Sequence, residues 1–126
     1  MEGFIDLVGV DEVAEGQMIG TELEDHELLV AKVGGTFYVS DARCPHLHGF
    51  LPKGTLEGTV VTCPRHGSQF DLTDGAVVRW TKWHGTVQTM AAAVRHPRPL
   101  RVYETAVEDG RLLIGGQKEP PTTASE

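Results

Sequence analysis

Two short segments of this chain each place a histidine close behind a cysteine. The first reads C-P-H and runs from Cys44 to His46, and the second reads C-P-R-H and runs from Cys63 to His66. Sixteen residues separate the two segments, enough for a turn and a returning strand. A fold that sets the segments side by side would gather two thiolates and two imidazoles around one centre. This requirement constrains the fold more than any other feature of the sequence.

The residue types leave three interpretations of this pattern open. In the first, the two cysteines of the chain are merely buried or form one disulfide, which is uncommon in a reducing cytoplasm. In the second, the four side chains bind one zinc ion, although zinc sites more often pair cysteine with cysteine and histidine with histidine. In the third, two thiolates bind one iron of a [2Fe–2S] cluster and two imidazoles bind the other.

Composition and charge exclude several classes of protein. A chain of 126 residues fits a single domain, and no apolar run approaches the roughly 18 residues that a membrane-spanning helix needs. A net charge of −7 disfavours binding to a nucleic-acid backbone. The N-terminal segment is acidic, unlike the basic and then apolar start of a signal peptide. We therefore expect a soluble, cytoplasmic protein that neither inserts into membranes nor binds nucleic acid.

The pattern of turns and apolar residues is typical of an all-β fold. Fifteen glycines and seven prolines favour tight turns and short strands over long helices. Gly34-Gly35 predicts a two-residue hairpin turn, and Asp109-Gly110 predicts a second one, because these residues tolerate positive φ. The predicted strands cover residues 4–8, 18–23, 27–33, 36–40, 58–62, 100–107 and 111–114.

Longer stretches around the two Cys-His segments resemble the Rieske ferredoxin family. The run C-P-H-L-H-G-F-L-P-K-G-T-L-E-G, which begins at Cys44, resembles the first cluster loop of that family and the strand that follows it. The run C-P-R-H-G-S-Q-F-D-L-T-D-G, which begins at Cys63, resembles the second cluster loop. The run P-R-P-L-R-V-Y, which begins at Pro97, resembles the proline loop that covers the cluster. With the flanking strands, the resemblance extends over residues 4–115.

The resemblance implies a Rieske iron-sulfur fold, in which an antiparallel β base domain carries an inserted small cluster-binding subdomain. A single domain would cover residues 1–116, with the subdomain at 42–72 and the proline loop at 96–100. One short helical insertion is expected within residues 86–95, where three consecutive alanines occur. Residues 117–126 are expected to form a flexible C-terminal tail.

The resemblance also implies a ligand set for one Rieske-type [2Fe–2S] cluster. Cys44 and Cys63 would bind the inner iron, and His46 and His66 would bind the outer one. Three further residues are expected to lie around the cluster: Ser68 as a hydrogen-bond donor, Leu51 as a shield from water and Pro97 as part of the covering loop.

Two departures from the family pattern indicate a lower-potential ferredoxin. Phe70 stands where high-potential Rieske proteins have a tyrosine that donates a hydrogen bond towards the cluster. Phe50 and Arg65 stand where the respiratory-complex members have cysteines that clasp the cluster with a disulfide. We expect a reduction potential between those of the two classes.

The resemblance predicts a soluble one-electron carrier that catalyses no reaction itself. It would pass electrons from a flavin reductase to a terminal oxygenase or a similar acceptor. Two alternatives remain, a zinc-binding structural or interaction module and the small Rieske-like subunit of a nitrite reductase. Residues 43–101 carry eight basic and three acidic side chains, whereas the rest of the chain carries three basic and fifteen acidic ones. This asymmetry has two interpretations: a basic cluster end that is steered onto acidic patches of redox partners, or a solvated surface whose charges are segregated only in the sequence.

Overall fold

The computed structural model describes residues 3–45, 48–65, 67–79 and 98–120. These residues form two antiparallel sheets and two short 3-10 helices, so the predicted all-β fold is confirmed. The first sheet contains six strands, in the spatial order β1 (Ile5–Gly9), β10 (Arg111–Gln117), β9 (Val102–Glu108), β4 (Thr36–Asp41), β3 (His26–Val33) and β2 (Met18–Leu23). The second contains β5 (Thr55–Glu57), β6 (Val60–Thr62), β7 (Gln69–Asp71) and β8 (Val77–Arg79). The 3-10 helices span Val10–Glu12 and Leu51–Lys53.

Two-residue turns set the register of the large sheet. Both predicted turns are present, with Gly34-Gly35 joining β3 to β4 and Asp109-Gly110 joining β9 to β10. A third turn, at Glu24-Asp25, joins β2 to β3 with φ values of 50° and 70°. Left-handed backbone of this kind is unusual for residues other than glycine, so this turn could not be predicted from the residue types.

Strand β3 is buried on both faces and belongs to two hydrophobic cores. Successive side chains of a strand point to opposite sides, so Leu28 and Val30 face one core while Leu29 and Ala31 face the other. The sheet core, on the first side, also contains Val8, Val13, Val39, Leu112 and Ile114. The interface core, on the second side, joins the two sheets and also contains Cys44, Leu51, Val61, Cys63, Phe70, Leu72 and Leu100. The interface core therefore contains both cysteines.

A close backbone approach ties the small sheet to the segment that leads into β9. Gly75 has a φ of 84°, and a Cβ atom at this position would collide with the carbonyl oxygen of Leu100. The Leu100 N–H donates to the Gly75 carbonyl oxygen over 2.9 Å. Because Leu100 is itself buried in the interface core, this contact fixes residues 98–100 against the small sheet.

Both sheets extend beyond the boundaries expected from the sequence. The small sheet continues past residue 72 to Arg79, and β10 continues to Gln117, where the expected tail begins. The Lys118 N–H also donates to the Val102 carbonyl oxygen over 2.8 Å. The expected helix at 86–95 and the last six residues of the expected tail lie outside the described residues. Within the described part of the chain, no helix has the length and apolar character needed to cross a bilayer.

Candidate metal centre

The first cysteine lies at the start of a loop, the first loop, whose described residues are 43–45 and 48–50. The Cys44 N–H donates to the Gly49 carbonyl oxygen over 2.8 Å, and the His48 N–H donates back to the Cys44 carbonyl oxygen over 2.8 Å. His48 has a φ of 61°, in the left-handed region. This reversal turns the chain back on itself directly after the cysteine.

The second cysteine lies in a second loop, with described residues 63–65, 67 and 68, that has the same pattern of backbone hydrogen bonds. The Cys63 N–H donates to the Ser68 carbonyl oxygen over 2.7 Å, and the Gly67 N–H donates back to the Cys63 carbonyl oxygen over 3.1 Å. Gly67 lies four positions after Cys63, as His48 does after Cys44, and it also has a positive φ, of 77°. The two cysteines thus hold equivalent positions in two similarly folded loops.

Both cysteine side chains are buried. Cys44 is 1% exposed and Cys63 is 3% exposed, and both contact the interface core. Leu51 and Ser68, two of the residues expected around the cluster, are fully buried as well. The described part of the site therefore presents two thiols in surroundings from which bulk water is largely excluded.

The two loops pack against each other at Gly49. A Cβ atom at this position would lie 2.5 Å from the Cys63 Sγ and 2.9 Å from the Arg65 Cγ. Such distances are far below van der Waals contact, so no larger residue fits without displacing the second loop. Gly49 allows the backbone of one loop to approach the sulfur atom carried by the other.

Arg43 anchors the first loop to the large sheet. Its Nε and Nη2 atoms donate to the two carboxylate oxygens of Glu27 over 2.8 and 3.2 Å, and its Nη1 donates to the His48 carbonyl oxygen over 3.2 Å. The guanidinium lies 4.8 Å from the centroid of the Phe50 ring. The hydrogen bonds from Arg43 hold the pKa of Glu27 below its ordinary value, so the pair stays charged at neutral pH.

Two other arginines bind backbone carbonyl groups of the same loops. The Arg98 Nη2 donates to the Pro45 carbonyl oxygen over 2.8 Å, which links residues 98–100 to the first loop. The Arg79 Nε, at the end of β8, donates to the Gly67 carbonyl oxygen over 3.1 Å in the second loop. Each loop is thus held by guanidinium groups from outside it as well as by its own backbone.

A polar network lies beside the first loop. The Tyr103 hydroxyl donates to the Asp41 Oδ1 over 2.6 Å, and the His26 Nε2 lies 2.8 Å from the same oxygen. Burial of the phenol, followed by its hydrogen bond to the carboxylate, raises the pKa of Tyr103 well above its ordinary value. Tyr103 therefore stays protonated and holds the Asp41 carboxylate at neutral pH.

The structure describes four of the seven residues expected at the site. Cys44, Cys63 and Leu51 belong to the interface core, and the buried Ser68 accepts a hydrogen bond from the Cys63 N–H through its carbonyl oxygen. The other three, His46, His66 and Pro97, lie outside the described residues. The four-residue ligand set accordingly stays a prediction.

Sequence reasoning did not find the arginine contacts. Arg43, Arg79 and Arg98 entered only as members of a basic region, yet each donates to a backbone carbonyl of a cysteine loop. The one available signal was that Arg43 directly precedes Cys44. Hydrogen bonds to backbone carbonyls do not depend on the residue type of the acceptor, so the sequence does not indicate these partners.

Comparison with known proteins agrees with this architecture. The family described as the Rieske [2Fe-2S] domain matches residues 3–98. The ferredoxin component of the naphthalene 1,2-dioxygenase system of Pseudomonas aeruginosa is 36% identical over 113 residues, which cover 90% of this chain and 95% of the relative. The ferredoxin component of the alkene monooxygenase system of Xanthobacter autotrophicus is 30% identical, and the match covers 93% of this chain and 84% of the relative. The solved structure of Sphingomonas yanoikuyae B1 ferredoxin superimposes with a TM-score of 0.70 at 28% identity. The superposition covers 88% of this chain and 96% of that one. The chain therefore belongs to the Rieske [2Fe-2S] domain family.

Proposed function

We propose that this chain is a cytoplasmic one-electron carrier that delivers electrons to the terminal component of an oxygenase system. The observation that carries the proposal is full-length similarity to the ferredoxin component of a dioxygenase system, which covers 95% of that relative. A ferredoxin component of a monooxygenase system is similar over 84% of its length. Because these relatives serve different oxygenases, the proposal specifies the class of acceptor and leaves the oxidised substrate open.

Cys44, His46, Cys63 and His66 are the proposed ligands of one [2Fe–2S] cluster. Two features of the described residues fit such a group. Both thiols lie buried at equivalent positions of two similarly folded loops, and the loops meet where Gly49 has no side chain to fill the space beside the Cys63 sulfur. Two thiolates and two imidazoles are the donor set of a Rieske centre, which supplies reversible one-electron chemistry when bound.

The surrounding residues determine how well this site excludes water and holds its ligands. Leu51 and Phe70 are fully buried and cover the thiols from the side of the interface core. The arginine contacts at Pro45, His48 and Gly67 restrict the loops that bear the proposed ligands. A rigid site reorganises little when its charge changes, which favours rapid electron transfer.

Ser68 and Phe70 are proposed to adjust the reduction potential, and Pro97 is proposed to cover the cluster as part of the proline loop. Ser68 is fully buried directly after the second loop's left-handed residue, and its hydroxyl is the proposed donor towards the cluster. Phe70 has no hydroxyl with which to donate. With one such donor instead of two, the potential is expected to lie between those of the low- and high-potential classes, because each hydrogen bond to sulfur stabilises the reduced state.

The proposal is tested by transfer of an electron to an oxygenase. The reduced holoprotein is mixed anaerobically with the oxidised oxygenase component of the P. aeruginosa naphthalene 1,2-dioxygenase system, and both proteins are followed by electron paramagnetic resonance. We expect the ferredoxin signal to fall as the oxygenase signal rises. A Cys63→Ser variant, which lacks a proposed ligand, is the control and should transfer nothing. A holoprotein that retains its own signal throughout would contradict the proposed role.

A further inference from the structure

An open cleft of about 300 Å³ lies against the first loop. One wall is formed by the loop itself, and the other by the residues that lead into β9. The described residues that line it are Asp41, Arg43, Cys44, Pro45, His48, Arg98, Pro99, Leu100 and Arg101. The hydrogen bond from Arg98 to the Pro45 carbonyl oxygen connects the two walls.

The cleft holds more positive than negative charge. Arg43 is paired with Glu27, whereas Asp41 is hydrogen-bonded by the uncharged Tyr103 hydroxyl, which does not neutralise a carboxylate. Arg98 and Arg101 are exposed, and within the described part of the chain neither forms an ion pair with a carboxylate. Among the described lining residues, the guanidinium groups of Arg98 and Arg101 therefore outnumber the single carboxylate, that of Asp41.

The positive charges of the cleft are carried by guanidinium groups, and their geometry indicates which anion the cleft can bind. A guanidinium group presents five N–H donors in a planar fork, which matches the two oxygens of a carboxylate. The described contact of Arg98 with Pro45 uses one of these donors, so others can reach a ligand. The chain as a whole carries a net charge of −7, so a basic cleft is a local exception to its overall repulsion of acidic proteins.

We propose that this cleft binds a carboxylate side chain of the acidic redox partner protein and thereby positions that partner beside the metal centre. This inference rests on the proposed function and specifies the surface that the partner uses. Pro45, in the cleft wall, directly follows the buried Cys44. A partner carboxylate between Arg98 and Arg101 would hold its own redox group within a short distance of the first loop, and electrostatic steering would accelerate the encounter.

The test uses an octaglutamate peptide labelled with an uncharged dye, titrated with the oxidised holoprotein at low ionic strength. Binding is read from fluorescence anisotropy. Replacing both arginines, as Arg98→Gln with Arg101→Gln, should weaken binding by about tenfold or more, because two charge-assisted contacts are lost. The double variant Arg98→Lys with Arg101→Lys keeps both positive charges but lacks the planar fork of N–H donors. Its peptide affinity should fall by an intermediate amount.

A matched control removes two positive charges elsewhere. Lys32 and Arg111 lie at the ends of their strands opposite to the cleft, so Lys32→Gln with Arg111→Gln should leave peptide binding nearly unchanged. Arg101→Gln alone preserves the Arg98 contact with the first loop and should still weaken binding. The absorption spectrum of each variant shows whether the metal centre is intact, so failure of the proposed function is seen separately.

Three outcomes would overturn the inference. If the control variant bound the peptide as weakly as the Arg98→Gln, Arg101→Gln variant, binding would depend only on net charge. Undiminished binding by the Arg98→Gln, Arg101→Gln variant would place the peptide elsewhere. Displacement of the peptide by inorganic phosphate at concentrations where acetate has no effect would identify a site for small phosphate-like anions instead of a protein carboxylate.

Discussion

Two residues with left-handed backbone occupy the same position in the two cysteine loops. In the second loop this residue is Gly67, with a φ of 77°, and in the first it is His48, with a φ of 61°. Glycine adopts this conformation without a steric penalty, whereas a Cβ atom is crowded by the carbonyl group that follows. His48 therefore carries a local conformational cost that its counterpart avoids.

Replacing His48 with glycine is expected to stabilise the folded protein by about 1 kcal/mol, through relief of this crowding. The unfolding temperature should rise by about 4 °C. The measurement is thermal denaturation of the holoprotein followed by circular dichroism. Glu104→Gly, at an exposed position in the middle of β9, is the matched control and should lower the unfolding temperature. A lower unfolding temperature for His48→Gly would contradict the account of the first loop.

Gly49 provides the second test at the scale of one residue. A Gly49→Ala variant would place a methyl group 2.5 Å from the Cys63 Sγ, so the loops must separate. We expect the purified variant to contain much less iron per chain than the unaltered protein. Gly116→Ala is the control, since nothing lies within 4 Å of a Cβ atom there. Normal iron content in Gly49→Ala would show that the loops do not need this close approach.

Among the elements, the β3–β4 hairpin shows how far the sequence predicts structure. Gly34-Gly35 between two β-rich runs predicted the turn and both strands, because the turn residues and the strand residues agree. The same reasoning missed β7 and β8, each of which has three residues. Three residues are too few to show an alternating pattern, so these strands depend on pairing partners that only the fold supplies.

The cysteine positions were predicted because ligand types and spacing are a local property of the sequence. Their environment was not, since it depends on contacts between residues far apart in the chain. The Arg98 guanidinium, for example, donates to the Pro45 carbonyl oxygen, 53 positions away. The ligand set itself, with His46 and His66, stays a prediction.

The β3–β4 turn also carries a charged contact that depends on pH. The Glu15 carboxylate accepts from the Gly34 N–H over 2.5 Å and from the Gly35 N–H over 3.0 Å. These bonds hold the pKa of Glu15 below its ordinary value of 4.5 in the folded protein. A lowered pKa means that the stabilisation is fully present above the ordinary value and is lost as the pH falls below it.

Glu15→Gln should therefore reduce the free energy of unfolding at neutral pH and have less effect in acid. The two proteins are compared by urea denaturation across a series of pH values from neutral to below 4.5. We expect their unfolding free energies to converge as the pH falls. A difference that is constant across the series would show that the carboxylate charge does not stabilise the turn.

At the scale of the whole molecule, metal loss is expected to affect the two hydrophobic cores differently. The sheet core contains neither cysteine, whereas the interface core contains both. Strand β3 contributes to both cores, with Leu28 and Val30 on one side and Leu29 and Ala31 on the other. The large sheet therefore retains a complete apolar core of its own when the metal centre is empty.

Removing the metal should loosen the small sheet and leave the large sheet folded. Amide hydrogen exchange of the metal-free and metal-loaded proteins is the measurement. We expect faster exchange in β6 and β7 and little change in β10, which pairs with β1 and β9 in the large sheet. Equal acceleration in both sheets would show that the molecule unfolds as one unit when the metal is lost.

The central claim is that two loops of this chain hold a histidine-ligated [2Fe–2S] cluster for one-electron transfer. Electron paramagnetic resonance of the dithionite-reduced protein, with iron and zinc quantified on the same anaerobically prepared sample, tests it most directly. The account predicts the signal of a cluster with two imidazole ligands and about two iron atoms per chain. A silent spectrum with about one zinc ion per chain would contradict it, because zinc has no redox chemistry.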